Sequence, residues 1–449
     1  MQQTKVYVLP SIVPLSHVPS HIAPSYAESF RCIGSACEDT CCKGWAVPVD
    51  PGSIAKFQTL PASVLKTLIE TSIVPATESG NAQHGVFATF RMTASNQCPM
   101  LSEERLCQIQ SECGEAFLPH TCSVYPRIIH RIGDVEQEAL TLACPEAARL
   151  VLLNPDLLAT GRSELFRHYR EVGGLVEGDL AKGDLAKNDL AQNGRALRNF
   201  FWPIQHTALA LIRNRDYPLW QRLVLLGIFC RDLDAIARCE VELPIPAFLS
   251  EFEGMVRSGA LRAAMDALLV DLASQLDVVL RLAGMLLHTS NVHPRFADCV
   301  QAFTSGIGNG PSATMASLTA HYARAHDEFY APFFDRHPRI LENYLINTVL
   351  RCQFPFGRDG MLCGSSSTGQ VMAREHANLT AQFTLMKGFL IGVAGFHGDA
   401  FSTEHVVHTV QSASKHFEHH PEFLNQAHAL LVESKMEDEL GLAILLRNA

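Results

Sequence analysis

Hydrophobic residues recur at three- and four-residue steps through most of the chain after residue 196. This spacing places the apolar side chains on one face of an α-helix. It predicts ten helices, at 197–213, 219–239, 245–257, 260–287, 294–303, 316–330, 340–352, 373–396, 403–417 and 421–436. We therefore expect a helical bundle or array, without the alternating strands and helices of a Rossmann fold.

The first 170 residues show a mixed pattern. Residues 86–91 predict a short strand, and 127–132 and 135–142 predict a hairpin that turns at Gly133-Asp134. Residues 102–114 and 145–153 fit helices better, the second of them beginning at Pro145. The expected fold is mainly α, with a cysteine-rich α+β module at the N-terminal end.

A five-residue repeat separates these two parts. Residues 177–194 repeat a Gly/Asn-Asp-Leu-Ala-Lys/Gln unit, whose period matches neither a helix nor a strand. Such a repeat is typical of a surface linker. We predict a cysteine-rich metal or iron-sulfur module at 1–170, a low-complexity linker at 171–195 and an α-helical domain at 196–449.

Composition narrows the class of protein. The chain has 449 residues, of which 47% are hydrophobic, and a formal net charge of −10. This acidic balance argues against a nucleic-acid partner. The first residues lack an apolar leader, and the most apolar stretch, 268–287, carries Asp271, Asp277 and Arg281. We expect a cytoplasmic protein without a transmembrane segment; peripheral membrane association and the oligomeric state stay open.

Cysteines carry the candidate chemistry. Eight of the fourteen form an ordered series: Cys32, Cys37, Cys41, Cys42, Cys98, Cys107, Cys122 and Cys144. Adjacent cysteines such as Cys41 and Cys42 cannot comfortably bridge each other, and disulfides do not persist in a reducing compartment. The series therefore predicts thiolate ligation of a metal.

Several alternatives remain at this point. An iron-sulfur cluster is favoured over zinc because the CxxC knuckles typical of zinc sites are missing, although zinc also accepts four thiolates. Eight thiols exceed the need of one cluster, so either two metal centres form or one forms beside surplus cysteines that pack against it or bind zinc. Ordinary buried structural cysteines are the remaining alternative. Cys42 follows Cys41 directly, unlike the CxxxCxxC loop of radical S-adenosylmethionine enzymes, so the spacing does not establish a radical mechanism.

Other candidate sites are weaker. Tyr125, Glu112, Glu115 and Glu146 lie near the cysteines, but residues of these types are more often structural or exposed than catalytic. The catalytic and cofactor-binding residues are therefore unknown. A GxGxG segment at 306–310 lacks the preceding strand that a nucleotide-binding loop requires, so we interpret it as a connection.

The segment 30–45, which contains four of the eight cysteines, resembles the opening signature of the FliB-type flagellin lysine N-methylases. Segments 98–101, 106–110, 118–127, 140–149, 215–223 and 354–357 are similar to that family in the same order. Two features depart from it, the repeat at 179–192 and Cys113, which we leave outside the ligand set.

The resemblance implies transfer of methyl groups from S-adenosylmethionine to lysine side chains of flagellin, with dependence on a [4Fe-4S] cluster held by the cysteines. Two other functions remain open on the cysteines alone. One is a non-catalytic protein that binds iron or zinc, and the other is an electron-transfer protein.

Overall fold

The computed structural model describes residues 21–158 and 197–448, except 23, 46, 76–87, 134, 242, 289–291, 358–369, 419 and 421. The predicted linker at 171–195, with its repeat, lies outside the described residues. The described part is mainly helical with two small sheets, which confirms the predicted fold class.

Helices form most of the described chain. In the first part they are α1 (Ser25–Ser29), α2 (Pro51–Gln58), α3 (Val64–Ser72), α4 (Gln108–Cys113), α5 (His120–Val124) and α6 (Pro145–Leu152). The later helices are α7 (Phe201–Ile212), α8 (Leu219–Ala237), α9 (Ile245–Ser258), α10 (Arg262–Asp266), α11 (Leu272–Leu287), α12 (Pro294–Gly306), α13 (Met315–Ala325), α14 (Ala331–Arg336), α15 (Arg339–Arg351), α16 (Val371–His397), α17 (Thr403–Phe417), α18 (Phe423–Glu433) and α19 (Glu439–Leu446).

Two three-stranded sheets lie in the first part. The predicted hairpin is confirmed as β5 (Arg127–Ile132) and β6 (Val135–Leu140), and β1 (His21–Ile22) pairs in parallel with β6. The second sheet has the order β2 (Pro48–Val49), β4 (Ala88–Phe90), β3 (Ile73–Pro75), all antiparallel. These short strands match no Rossmann arrangement.

The long helix α16 is the centre of the helical part. It packs against α8, α11, α12, α13 and α17, and nearly all of its residues from Ala377 to Ala394 are buried. By length and composition the segment Val371–Ala400 could cross a membrane, but 89% of its most apolar window is buried inside the protein. A core helix with this burial passes the same test, so the segment is no evidence for a membrane span.

Buried side chains form two separate cores. The large core combines the helical part with β5, β6 and α6; β6 packs against α15, and α6 packs against α15 and α17. The small core contains Val47, Val49, Phe57, Leu65, Ile69, Ala88, Phe90, Cys98, Met100, Ile109 and Leu118. The first 150 residues thus contribute to both cores, and the cysteine segments lie where the two meet.

Local chemistry explains where the predicted helix boundaries differ. The predicted helix at 260–287 is two helices, because Asp271 accepts a hydrogen bond from the Ser274 backbone at 3.0 Å and begins α11. The predicted helix at 102–114 begins only at Gln108, because Arg105 has a φ of 64° and Leu101 pairs with Cys107 as an isolated bridge. The capping Asp271 sets the start of α11, and the left-handed backbone of Arg105 prevents a helix before Gln108, although apolar spacing predicted one continuous helix in each case.

The GxGxG segment has a packing role. Gly306 is the last residue of α12, and a side chain there would overlap the Gly392 carbonyl on α16. A side chain at Gly392 would in turn overlap Phe303. Two glycines therefore let the backbones of α12 and α16 approach closely, which accounts for a glycine at position 306.

Candidate cysteine site

One group of thiols lies around the loop that follows α1. Cys32 and Cys37 flank a short 3-10 turn at Gly34–Ala36, and the Gly34 backbone donates to the Cys32 sulfur at 3.4 Å. Cys144 precedes α6, where the backbones of Ala147 and Glu146 hydrogen-bond its sulfur. Cys32 and Cys41 are exposed, Cys37 is half-buried and Cys144 is buried.

A second group lies against the small core. The Cys98 backbone donates to the Cys42 carbonyl at 2.8 Å, which joins two distant segments. Cys107 lies opposite Leu101 in the isolated bridge, and Cys122 is on α5. Cys98 belongs to the small core, and Cys42, Cys107 and Cys122 pack against it.

The thiols affect one another's pKa values in the same two groups. Charges on Cys37 and Cys32 act on Cys144, whereas charges on Cys42, Cys107 and Cys98 act on Cys122. We call Cys32, Cys37, Cys41 and Cys144 the outer cysteines, and Cys42, Cys98, Cys107 and Cys122 the inner cysteines. Cys41 joins the two groups, since its thiol hydrogen-bonds Cys42 and charges on both Cys122 and Cys144 act on it.

Burial and pairing set the protonation of these thiols. Burial raises the pKa of Cys98 and of Cys144 to about 12. Cys41 and Cys42 share a hydrogen bond, which raises the pKa of Cys41 and lowers that of Cys42 to about 7. Without a cation, therefore, most of the buried thiols stay protonated at neutral pH, and Cys42 is the thiol most readily ionised.

The donor set fits a thiolate-bound metal by its chemistry. Each cysteine in the described part of the chain is a free thiol, and the eight predicted ligands gather in two neighbourhoods. Among the described residues, however, no three His, Cys, Asp or Glu side chains form a ready-made metal site. The fit is therefore one of donor type, because the described side chains do not bring three such donors to one point.

Asp39 joins the cysteine loop to the helical part. It is buried between Cys37 and Cys41 in sequence and accepts hydrogen bonds from Lys415 at 2.8 Å and Gln411 at 2.7 Å, both on α17. His293 Nε2 lies 3.3 Å from the same carboxylate. Burial alone would raise the pKa of Asp39, but the His293 hydrogen bond and the Lys415 charge hold it well below its usual value.

Sequence reasoning missed this contact. Asp39 follows Glu38 in a polar loop, and Lys415 lies one turn after Gln411 on a buried face of α17. A lysine on a buried face is a signal for a buried partner, but the partner itself is 376 positions away in sequence. Only the fold brings the two residues together.

The four candidate catalytic residues have different surroundings. Tyr125 packs against the large core beside the outer cysteines, where burial raises its pKa well above the usual value and charges on Cys144 and Cys41 add to the effect. Glu146 pairs with Arg149 at 2.9 Å, and Glu112 and Glu115 are exposed. Of the four, Tyr125 is the one enclosed beside the thiols.

A surface cleft of about 360 Å³ lies elsewhere, in the helical part. It is lined by Ala273, Ser274, Asp277, Val278, Arg281, Met315, Ser434 and Met436. Arg281 is already paired with Glu433 at 2.7 Å. The cleft contains none of the cysteines, so it adds nothing to the chemistry of the thiols.

Comparison with known proteins identifies a family and several relatives. The family model of the FliB lysine N-methylase C-terminal domain matches residues 205–445. Over 146 residues the chain is 34% identical to the flagellar biosynthetic protein FliU of Salmonella muenchen, a match that covers 32% of this chain and 85% of that protein.

Two lysine-N-methylases are similar to a comparable extent. Those of Salmonella typhimurium and Salmonella choleraesuis are each 33% identical over 144 residues, which is 32% of this chain and 35% of theirs. The aligned region thus spans about a third of each lysine-N-methylase. No solved structure matches the chain significantly.

Proposed function

The chain belongs to the FliB lysine N-methylase family, and on that premise we propose that it transfers methyl groups from S-adenosylmethionine to lysine side chains of flagellin. The observation that carries the proposal is the family match across the whole helical part, from residue 205 to 445. The names of the matched relatives, a flagellar biosynthetic protein and lysine-N-methylases, support the substrate. We place the reaction in the cytoplasm, where free thiols persist.

The proposal includes a [4Fe-4S] cluster bound by thiols of the cysteine module. Soft, anionic thiolates are the ligands that such clusters prefer, and the module offers eight within two neighbourhoods. A cluster iron with an open position would supply a site for the amino and carboxylate groups of S-adenosylmethionine. The exposed Cys32 supports access of such a ligand to the outer cysteines.

Methyl transfer to lysine also makes demands on the protein. The amine must lose its proton and be held close to the methyl group, in a site that excludes water. Tyr125, enclosed beside Cys41 and Cys144, is the candidate to contact the substrate amine. The buried contact of Asp39 with α17 fixes the cysteine loop against the domain that matches the family.

An assay with isotope-labelled S-adenosylmethionine tests the proposal. Anaerobically purified protein, reconstituted with iron and sulfide, is incubated with flagellin, and the label is mapped by peptide mass spectrometry. We expect brown protein and label on flagellin lysines. Cys41→Ala and Cys42→Ala should bleach the protein and abolish labelling, whereas Cys113→Ala, outside the ligand set, should retain both.

The two parts of the proposal fail separately. Label transfer by colourless, iron-free protein would contradict the cluster but not the methylation. Brown protein that leaves flagellin unlabelled would contradict the methylation, and it would favour the second candidate, a non-catalytic metal-binding or electron-transfer protein. The exposure of Cys32 favours that second candidate, because a metal carrier needs accessible ligands.

A further inference from the structure

We propose that Glu418, together with Ser414 one helical turn before it, receives the ammonium group of the substrate lysine beside Tyr125. This inference rests on the proposed function, since a protein-lysine methylase must hold its substrate amine. It adds to that function a binding residue from the helical part, which faces Tyr125 of the cysteine-rich part.

One face of α17 is polar and contacts the cysteine-rich part. On this face Gln411 and Lys415 donate to main-chain carbonyls of that part at 2.9 and 3.1 Å. Residues three and four positions apart in a helix are neighbours on its surface. Ser414 and Glu418 therefore continue the same face and lie against the same part of the chain.

Two hydrogen bonds of Thr141 place Glu418 beside Tyr125. The Thr141 hydroxyl donates to the Glu418 carboxylate, and the Thr141 backbone N–H donates to the Pro126 carbonyl at 2.9 Å. Pro126 directly follows Tyr125, at the open end of the hairpin of β5 and β6. Burial raises the pKa of Tyr125 most, and the charge on Glu418 adds to this increase. The carboxylate and the phenol therefore belong to one neighbourhood.

Helix stability gives no reason for a carboxylate at position 418. Glu418 is the C-cap of α17, where the helix dipole favours cations and disfavours anions. Its side chain is 7% exposed, and Arg351 Nε lies 3.6 Å from it, a distance longer than a hydrogen bond. A carboxylate offers about four lone-pair sites, of which Thr141 uses one. Glu418 is therefore able to accept hydrogen bonds from a further donor.

Ser414 supplies a second acceptor. It is fully buried, and among the described residues no group hydrogen-bonds its hydroxyl oxygen. A buried hydroxyl without a partner costs free energy, which a bound ligand would recover. An ammonium group has three donors and no acceptor, and it is attracted to the face of an aromatic ring. It therefore matches a site made of the Glu418 carboxylate, the Ser414 hydroxyl and the Tyr125 ring.

The same contact provides a path for the proton that the amine must lose. The lysine N–H bond breaks as an O–H bond forms on Glu418, and the nitrogen keeps the electron pair with which it attacks the methyl group. Tyr125 and Glu418 are each half-buried as residues, so they lie at the margin of the core. A lysine side chain thus has a short path to them from solvent.

Kinetics of the full chain with flagellin and labelled S-adenosylmethionine test the role of this site. We expect Glu418→Gln to lower kcat/KM about tenfold to a hundredfold, as for a lost hydrogen bond to a charged group. Ser414→Ala removes a hydroxyl without a partner, so it should be as stable as wild type and still raise KM several-fold. Glu404→Gln, which removes the same charge from the exposed start of α17, should leave kcat and KM unchanged.

A double variant distinguishes a substrate contact from a structural ion pair. Arg351→Met combined with Glu418→Gln removes both charges of the pair, and it serves if Glu418→Gln alone does not fold. The proposal expects this double variant to be at least as stable as Glu418→Gln in denaturant and to stay impaired in methylation. Recovery of wild-type methylation would show that Glu418 acts only through Arg351, and would overturn the proposal.

A binding measurement separates this proposal from the proposed function. Wild type, Glu418→Gln and Glu404→Gln are each titrated with monomeric flagellin and with flagellin whose lysines are acetylated and therefore uncharged. We expect wild type and Glu404→Gln to prefer unmodified flagellin about tenfold more strongly than Glu418→Gln does.

Equal preference in the three proteins would overturn the proposal, and so would wild-type kinetics in both Glu418→Gln and Ser414→Ala. If wild type transfers no label to flagellin lysines, the proposed function fails. The binding comparison then still decides whether Glu418 receives an ammonium group.

Discussion

Asp39 and Lys415 form a buried ion pair at the junction between the cysteine loop and α17. The Asp39 side chain is 3% exposed and that of Lys415 8%. Removing one member of such a pair leaves the other charge buried and uncompensated, which costs more than removing both. The pair therefore holds the loop in place only as long as both charges are present.

A double-mutant cycle tests this pair. We expect Lys415→Met to lower the free energy of unfolding by about 3 kcal/mol or more, and Asp39→Asn combined with it to recover part of that loss. Denaturant unfolding of the two single variants and the double variant gives the coupling. Glu433→Gln, which removes the exposed partner of Arg281, is the control and should cost at most about 1 kcal/mol. Purely additive losses at Asp39 and Lys415 would contradict the pairing.

Lys387 is a second buried cation, in the middle of α16. It donates to the carbonyls of Leu446 at 2.8 Å and Leu445 at 3.1 Å, at the end of α19. Burial lowers its pKa to about 7 from the usual 10.5. At pH values between about 7 and 10.5, the unfolded chain binds the Lys387 proton more tightly than the folded chain does. The contribution of Lys387 to the free energy of unfolding therefore increases as pH rises.

The pH dependence of the Lys387→Met variant checks this sign. Relative to the variant, we expect the free energy of unfolding of wild type to rise by roughly 1 kcal/mol per pH unit between pH 7 and 9. Unfolding curves for both proteins at pH 7, 8 and 9 measure the difference, and other titrating groups cancel in it. A difference that stays constant or falls over this range would show that the lysine remains fully charged in the folded protein.

At the scale of elements, apolar spacing located most of the later helices but not how they approach one another. The crossing of α12 and α16 depends on Gly306 and Gly392, which in the sequence resembled parts of a flexible connection and of an ordinary apolar helix.

Short helices such as α2 and α3 were missed because they span only two turns each and carry little periodic signal. Their caps, Asp50 and Ser63, were visible in the sequence and would have predicted both.

The helix crossing gives a prediction with a matched control. Gly392→Ala would place a methyl group 2.8 Å from the Phe303 carbonyl oxygen and against its ring, so we expect a loss of about 1–3 kcal/mol or more. Gly284, in the last turn of α11, has no described atom outside its own helix within 4 Å of an added Cβ, and Gly284→Ala should be neutral or gain up to about 1 kcal/mol. Thermal unfolding of both variants makes the comparison. Equal effects would show that helix propensity, rather than the close crossing, governs position 392.

At the scale of the whole molecule, the sequence predicted the fold class and the residue types of the candidate site. The eight cysteines were recognisable because thiols at such spacing are rare outside metal sites, and their role as ligands stays a prediction. Their grouping in space was not recognisable, because Cys42 packs against the small core and its neighbour Cys41, which hydrogen-bonds it, is not part of that core. Nor does spacing along the chain reveal which core a segment joins, since β5 and β6 lie in the cysteine-rich part but pack with the helices.

Two cores of unequal size predict two levels of local stability. A small core buries less apolar surface and opens at a lower free energy than a large one. In native-state hydrogen exchange followed by mass spectrometry, we expect amides of α2 and α3 to exchange well before those of α16. Peptides from β5 and β6 are the decisive control, because they precede residue 150 in sequence but belong to the large core. They should follow α16; if they exchange together with α2 and α3, stability divides along the sequence and not between the cores.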